Sequence, residues 1–172
     1  MNNAKVVKML TLSVDVLKEN LHYNPETGIF TRIKSNNNRV KIGDVAGSLN
    51  KNGYIYIEIN SIAYRANRLA WFYMTEAMPS NFIDHKNGIR HDNRFCNLRQ
   101  ATNKQNLQNQ TKPQKGNKLG FLGVSFYKSS GKYVAHIRIN GTQKTLGYFS
   151  TPEKAHEVYL KAKRENHSFC TI

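Results

Sequence analysis

A polar segment divides the apolar pattern of this chain into two parts. Residues 111–118 contain no side chain suited to a hydrophobic core, but they include three lysines, a proline and a glycine. Such a composition is typical of a linker, because it interrupts regular structure and offers little to bury. Residues 1–110 and 119–172 are each long enough to enclose a small core. We therefore expect two domains joined by a linker at 111–118.

The charge of the chain points to a polyanionic partner. There are 26 lysines and arginines against 11 aspartates and glutamates, a formal net charge of +15. Nucleic acid is the first candidate and an acidic membrane surface the second. No apolar run approaches the ~20 residues that a membrane helix needs. The two cysteines, Cys96 and Cys170, lie far apart, which argues against a disulfide scaffold or a cysteine zinc site. A soluble, cytoplasmic protein is expected.

The first part mixes helical and strand patterns. Apolar spacings of three and four predict helices over 13–22 and 66–77. A turn at 25–28 leads into a strand at 29–32, and strict alternation predicts another strand at 54–59. The second helix carries an apolar stripe that we expect to face the core, formed by Leu69, Phe72 and Tyr73.

The second part predicts a three-stranded antiparallel meander with one helix. Strand-like runs cover 123–127, 133–139 and 143–149, and Asn140-Gly141 is a strong hairpin signal. Thr151 then has the character of an N-cap, with Pro152 in the first helical position and the helix running to about residue 165. Together the two parts predict the α+β class.

The densest polar cluster lies in the first part. It covers residues 84–94 and continues through asparagine-containing segments at 97–99 and 102–106. Apolar residues beside the first two segments predict two short strands with turns between them. The capping-box spacing of Thr102 and Gln105 predicts a helix from residue 103. The expected order is strand, strand, helix.

Some residues of this cluster suit metal-assisted hydrolysis. A carboxylate from Asp84 and an amide oxygen from Asn106 would suit a hard cation such as Mg²⁺, which prefers few protein ligands. His85 faces away from Asp84 in a regular strand, so a bulge or a strand end is required for both to serve one site. A neutral His85 could then take a proton from water, with Asn97 holding its ring in one tautomer. The alternative is a solvated, asparagine-rich surface loop.

The spacing of this cluster matches a known family. The matching positions are Ile83 to Arg94, Asn97-Leu98-Arg99, Ala101-Thr102 and Gln105-Asn106 followed by Asn109. They resemble the HNH endonucleases of phages and mobile introns. The resemblance implies the ββα-metal fold and hydrolysis of DNA phosphodiesters. It also implies His85 as general base, Asp84 and Asn106 as ligands of one Mg²⁺ or Mn²⁺ ion, and Asn97 as the residue that orients His85.

Residues around this motif carry further expectations. The family's His-Arg-Leu-Ala-Trp element is represented by residues 67–71, with Asn67 in place of the histidine. Four arginines are expected to pair with phosphates unless Asp92 holds one of them: Arg68, Arg90, Arg94 and Arg99. His91 is expected to be a solvated loop residue, and Cys96 to fill a small core site.

The alternation of apolar and polar residues in the second part predicts a sheet with one apolar and one basic face. Alternation sends Val124, Phe126, Ala135 and Ile137 toward the helix and leaves a basic outer face that can enter a major groove. A solvated sheet face is the alternative. Five segments resemble the APETALA2-type DNA-binding domain over about residues 118–168: Gly123-Val124, Gly131 to Arg138, Leu146 to Phe149, Thr151 to Ala155, and Tyr159. The resemblance implies DNA-facing positions at Ser125, Tyr127, Lys132, His136, Arg138, Gln143 and Thr145.

The two resemblances together imply a metal-dependent DNA endonuclease of the homing type, encoded by a phage or intron and acting on double-stranded DNA in a bacterial cytoplasm. The HNH motif, at about residues 83–109, lies in the domain expected at 1–110, and the DNA reader is expected at 119–172. One site per chain favours nicking by a monomer, whereas double-strand cutting would need a dimer or successive nicks. The alternative is a sequence-specific DNA-binding protein with weak or no catalysis. An RNA-binding protein is a third reading, since charge does not distinguish nucleic acids.

Overall fold

A computed structural model describes residues 12–35, 39–113 and 116–171. The chain forms two compact units that divide between Ala101 and Thr102. This division precedes the linker expected at 111–118, of which residues 114–115 lie outside the described residues. No helix of the described residues is long and apolar enough to cross a membrane.

The described residues of the N-terminal unit form short antiparallel strands and two α-helices. β1 pairs with β2, β3 and β5 flank β4, and β6 pairs with β7. The elements are α1 (Val14–Asn20), β1 (Leu21–Asn24), β2 (Ile29–Arg32), β3 (Ser48–Leu49), β4 (Ile55–Ile59), β5 (Ile62–Arg65), α2 (Ala66–Thr75), β6 (Phe82–His85) and β7 (Leu98–Ala101). A 3-10 helix, Phe95–Asn97, leads into β7.

Both helices end before the sequence pattern predicts. Ser13 caps α1 by accepting a hydrogen bond from the Val16 amide at 3.2 Å, but the chain becomes extended at Leu21 and continues as β1. α2 stops because Glu76 takes a left-handed conformation with φ of 56°. The predicted start of α2 at Ala66 is confirmed.

One hydrophobic core holds the N-terminal unit together. Leu69 and Phe72 of α2 are buried in it, and Tyr73 packs against it, as the helical spacing predicts. β4 contributes Ile57 and Ile59, which alternate with exposed Glu58, as the pattern of this strand predicts. The core extends to Ile83 and Leu98, one on each strand of the β6–β7 hairpin. The hairpin that carries the polar cluster is therefore fixed to the centre of the unit.

The C-terminal unit has the predicted meander. Its elements are α3 (Asn103–Gln108), β8 (Val124–Tyr127), β9 (Lys132–Ile139), β10 (Thr142–Phe149) and α4 (Pro152–Asn166), with β9 in the centre of the sheet. Asn140 and Gly141 have φ of 50° and 85° and form the predicted tight turn. Thr151 caps α4 and Pro152 is its first residue. The mixture of helices and small antiparallel sheets confirms the α+β class.

The helix α3 is fastened within the C-terminal unit. Lys163 of α4 is 1% exposed, and its Nζ donates a hydrogen bond to the backbone oxygen of Gln110. The Thr171 hydroxyl donates to Asn109 Oδ1 at 2.7 Å. These bonds hold the end of α3, so that this helix is counted with the second unit and not with the first domain expected at 1–110.

Two predicted core residues are exposed. Phe126 is 47% exposed and lies against Tyr133, with ring centroids 5.1 Å apart. The ring of Tyr159 in α4 lies against Gly123, three residues earlier. The expectation that Cys96 fills a core site is also wrong. In its 3-10 helix the neighbour Phe95 packs on Trp71 instead, at 5.7 Å between centroids.

Candidate active site

The β6–β7 hairpin brings Asp84 and His85 to the end of a strand. Asp84 lies opposite Arg99, and His85, the last residue of β6, lies opposite Leu98. Both residues are buried: Asp84 is 6% exposed and His85 is 4% exposed. The position of His85 meets the strand-end condition that the sequence pattern imposed. The polar cluster is therefore not a solvated loop at these two residues.

The imidazole of His85 is held against an asparagine. Its Nε2 lies 3.3 Å from Asn93 Oδ1. An amide oxygen accepts hydrogen bonds and does not donate, so a neutral His85 carries its ring proton on Nε2. Burial lowers the pKa of His85, and the contact with Asn93 opposes part of that shift. The neutral ring, which is the form that can act as a base, is thereby favoured.

Asn97, which was expected to orient the ring of His85, forms its hydrogen bonds with the loop between β6 and β7. Its Nδ2 donates to Asn87 Oδ1 at 3.0 Å and to the Asp92 backbone oxygen at 2.8 Å. Its Oδ1 accepts from the Asn87 amide at 3.0 Å. These bonds tie the loop between β6 and β7 to the start of β7. In the structure, Asn93 contacts the ring of His85 and Asn97 holds the loop that carries Asn93.

The sequence pattern did not single out Asn93, which reads as a turn residue beside Asp92. It is 2% exposed, and its backbone oxygen accepts a hydrogen bond from the Tyr23 hydroxyl at 2.6 Å. The next part of the loop is held by the Phe95 amide, which donates to the Pro25 oxygen at 3.0 Å. The partner of His85 is thus positioned by residues of β1 and the turn that follows it.

The carboxylate of Asp84 has a cation across the hairpin. Arg99 Nε donates to Asp84 Oδ2 at 2.9 Å. No cluster of three or more histidine, cysteine, aspartate or glutamate residues occurs within the described ranges. A zinc-type centre of several such ligands therefore does not fit. A single carboxylate does suit Mg²⁺, which commonly takes one or two carboxylates and completes its shell with water and phosphate oxygens.

Asn106, the other expected metal ligand, lies in α3 of the C-terminal unit and is half-buried. The predicted capping box that starts this helix is present. The Thr102 amide donates to Gln105 Oε1 at 2.8 Å, and the Gln105 amide donates to Thr102 Oγ1 at 3.3 Å. Asn106 thus occupies the first helical turns, as expected from the sequence.

The four expected phosphate-binding arginines differ in their surroundings. The Arg94 side chain forms two hydrogen bonds to Asp92, at 2.8 and 2.6 Å, which are the main cause that lowers the pKa of Asp92 to about 2. Arg68 donates to the backbone oxygens of Pro79 and Asn81. Arg99 pairs with Asp84, whereas Arg90 is exposed and contacts an aromatic ring. The loop residue His91 is exposed, as predicted.

Asn67, in α2, contacts the strand that carries Asp84 and His85. It is 3% exposed, and its Nδ2 donates to the backbone oxygen of Ile83 at 3.0 Å. Its Oδ1 has no hydrogen-bond partner in the described part of the chain. The asparagine therefore links α2 to β6 one residue before Asp84.

One comparison with known proteins matches the part of the chain that carries Asp84 and His85. Residues 64–108 match the HNH endonuclease family model. The matched region comprises 45 of the 172 residues and includes Asp84, His85, Asn93, Asn97 and Asn106. It supports a nuclease that acts on DNA. Comparison with curated proteins and with solved structures finds no match.

Outside the matched region, the C-terminal sheet presents one polar face. Cross-strand pairs place Tyr127 beside Lys132, His136 beside Thr145, and Arg138 beside Gln143. All seven expected DNA-facing side chains, which are these six and Ser125, lie on the face opposite the core; His136 is half-buried and the others are exposed. Four of the seven line a cleft of about 1030 Å³ that residues of α3 also line: Ser125, His136, Arg138 and Gln143.

Proposed function

We propose that this protein is a metal-dependent DNA endonuclease of the homing type. The observation that carries the proposal is the position of His85, buried at the end of β6 beside Asp84 with its Nε2 on Asn93. This arrangement lies inside the region that matches the HNH endonuclease family. The net charge of +15 supplies the electrostatic attraction that a DNA substrate requires.

In the proposed reaction His85 acts as general base. The neutral ring retains one lone pair, which takes a proton from a water molecule as the water oxygen attacks the phosphorus. The bond between phosphorus and the departing sugar oxygen then breaks, and that oxygen takes its proton from solvent. His85 afterwards releases its proton to solvent. Asn93 keeps the ring in one orientation throughout, and Asn97 acts through the loop that carries Asn93.

Asp84 and Asn106 are the residues that we propose hold a divalent cation, Mg²⁺ or Mn²⁺. The Asp84 assignment rests on its hard carboxylate oxygen beside His85, and the Asn106 assignment rests on its spacing in the motif. When bound, such a cation stabilises the negative charge that develops on the departing oxygen. Arg99 balances the charge of Asp84 when no cation is present.

The decisive experiment incubates the purified full chain with supercoiled plasmid, in Mg²⁺, in Mn²⁺ or in EDTA. Nicked circles that form only with a metal support the nuclease. Retarded plasmid without any cleavage supports the alternative, a DNA-binding protein with weak or no catalysis, which Asn67 in place of the family histidine favours. We infer that a monomer nicks one strand, so linear product should appear only after nicked circles.

Asp84→Asn is expected to slow nicking on the order of 100-fold or more, because metal stabilisation of the reaction is worth several kcal/mol. Asparagine keeps an oxygen that can accept the hydrogen bond from Arg99, so the fold is expected to persist. The measurement is the nicking rate over a Mg²⁺ titration, with a thermal melt as a folding check. Asp15→Asn, an exposed acid in the first turn of α1, is the matched control. An unchanged titration for Asp84→Asn would remove Asp84 from the proposed ligands.

We further propose that the C-terminal unit is an APETALA2-type module whose sheet enters the major groove. The support is the shared outer face of the seven polar side chains and the helix packed on the opposite face. Ser125 and Tyr127 stand where plant members of that family commonly carry arginines. Fewer bidentate contacts to guanine are then available, so phosphate contacts contribute relatively more to binding.

Arg138→Gln tests this module. If Arg138 contacts a phosphate, its loss lowers the slope of log K against log salt by ~0.9 and weakens binding to all sequences. If it contacts a guanine, discrimination falls by roughly 1–3 kcal/mol at one base pair and the salt slope changes little. Binding of labelled duplexes over a salt series distinguishes these outcomes. Lys161→Gln, which removes one exposed charge from α4, is the control, and equal effects of both variants would argue against a DNA-facing sheet.

A further inference from the structure

Two arginines from separate segments stack on one tyrosine beside His85. The guanidinium carbon of Arg65, at the end of β5, lies 4.6 Å from the ring centroid of Tyr54. That of Arg90, in the loop after β6, lies 5.2 Å from the same centroid. The Tyr54 ring is itself 6.0 Å from the ring of His85. We call Tyr54, Arg65 and Arg90 the Tyr54 stack.

The positive charge of the Tyr54 stack is not neutralised by any carboxylate of the described residues. Arg65 and Arg90 are both exposed, and neither forms an ion pair with a carboxylate within the described residues. Arg94 and Arg99, in contrast, each pair with an aspartate. Two unpaired guanidiniums on one ring are a suitable site for an anion, because their mutual repulsion falls when a negative group lies between or beside them.

Each guanidinium of the stack is also held in place. Arg65 Nε donates to the Tyr56 hydroxyl at 2.9 Å, and one terminal nitrogen of Arg90 donates to the Asn52 backbone oxygen at 2.9 Å. A guanidinium has five N–H donors, so most remain for a ligand after these bonds. Stacking on Tyr54 reduces the side-chain freedom that phosphate binding would otherwise have to remove.

From this geometry we propose that the Tyr54 stack binds backbone phosphates of the DNA. These phosphates lie on the same strand as the phosphate that His85 hydrolyses, next to it. The inference rests on the proposed nuclease function of His85. Phosphates follow one another every ~3.4 Å of helix axis along one strand. A strand with one phosphate at His85 therefore carries neighbouring phosphates past Tyr54. The sequence pattern pointed to Arg90 but not to Arg65 or Tyr54.

The test measures binding of the full chain to a labelled duplex of mixed sequence in EDTA, which suppresses metal-dependent cleavage, over a series of salt concentrations. Arg65→Gln and Arg90→Gln are each expected to lower the slope of log K against log salt by ~0.9. Tyr54→Leu changes no charge but releases both guanidiniums, and it is expected to weaken binding about three- to tenfold. Thermal melts verify that each variant is folded.

Lys18→Gln is the matched control. Lys18 also lies over an aromatic ring, that of Tyr73 at 5.5 Å, but it is paired with Glu76. Its loss removes one charge from the same unit and is expected to leave the salt slope nearly unchanged. Slopes and affinities of the Tyr54-stack variants equal to those of Lys18→Gln would overturn the proposal. Should the expected slopes be found while the unsubstituted protein fails to nick plasmid, the phosphate contacts stand and the proposed nuclease function falls.

Discussion

Replacing His85 with alanine is expected to slow plasmid nicking by roughly 10²–10⁴-fold, the usual contribution of a general base. DNA affinity should stay within a few-fold, because the proposed base acts on water and the arginines and the C-terminal sheet remain. Nicking rate and gel-shift affinity are measured on one preparation. Activity at a tenth or more of the unsubstituted protein would mean that His85 is not the base.

His91→Ala is the control for this experiment. His91 belongs to the same loop cluster but its side chain is exposed, and it is six residues away from the proposed base. Its removal is expected to leave the nicking rate within a few-fold. A loss as large as that of His85→Ala would show that the two histidines are not separable and that the assignment of the base needs revision.

Gly28→Ala is expected to damage both the fold and the site. Gly28 has φ of +73°, and a β-carbon there would lie 2.4 Å from the Arg94 amide nitrogen and 2.5 Å from the Asn93 carbonyl carbon. The loop that carries Asn93 would have to move, and the left-handed backbone costs alanine a further ~1–2 kcal/mol. We expect the free energy of unfolding to fall by about 2–4 kcal/mol, together with at least about tenfold slower nicking.

Gly43→Ala separates the two causes. Gly43 also has a left-handed backbone, with φ of +92°, but nothing lies within 4 Å of the added carbon. Only the backbone term, ~1–2 kcal/mol, is expected there, with little change in nicking. Denaturant unfolding and nicking assays compare the pair. Equal losses in both variants would indicate that contact between Gly28 and residues 93–94 does not support the site.

Local signals predicted most elements of the fold. The tight turn at Asn140-Gly141, the cap and proline that start α4 and the capping box of α3 are each encoded by residues within four positions of one another. Such short-range chemistry can be read without knowledge of the fold. The predicted helix ends were less accurate. Leu21 is extended and Glu76 is left-handed, and the spacing of apolar residues does not encode either change of conformation.

The details of the site depended on long-range contacts. Asn93 was read as a turn residue, and its role beside His85 requires the support of Tyr23, which is 70 residues away in sequence. Cysteine is a residue type that is often buried, but Cys96 lies in the 3-10 helix and is exposed. Arg65 gave no sequence signal because the ring on which it stacks becomes its neighbour only through strand pairing of β4 and β5.

The attachment of α3 by Lys163 and Thr171 determines which residues move together when the C-terminal unit is exchanged for that of another protein. The helix that carries Asn106 is bonded to the C-terminal unit, whereas Asp84 and His85 belong to the N-terminal unit. Exchange of the C-terminal unit for another domain at the junction between Ala101 and Thr102 would carry this helix along. If the C-terminal unit sets the DNA target, as proposed, a change of target and a change of the proposed metal ligand Asn106 would be inherited together. A graft that begins after Gln110 would leave α3 without its bonds to Lys163 and Thr171.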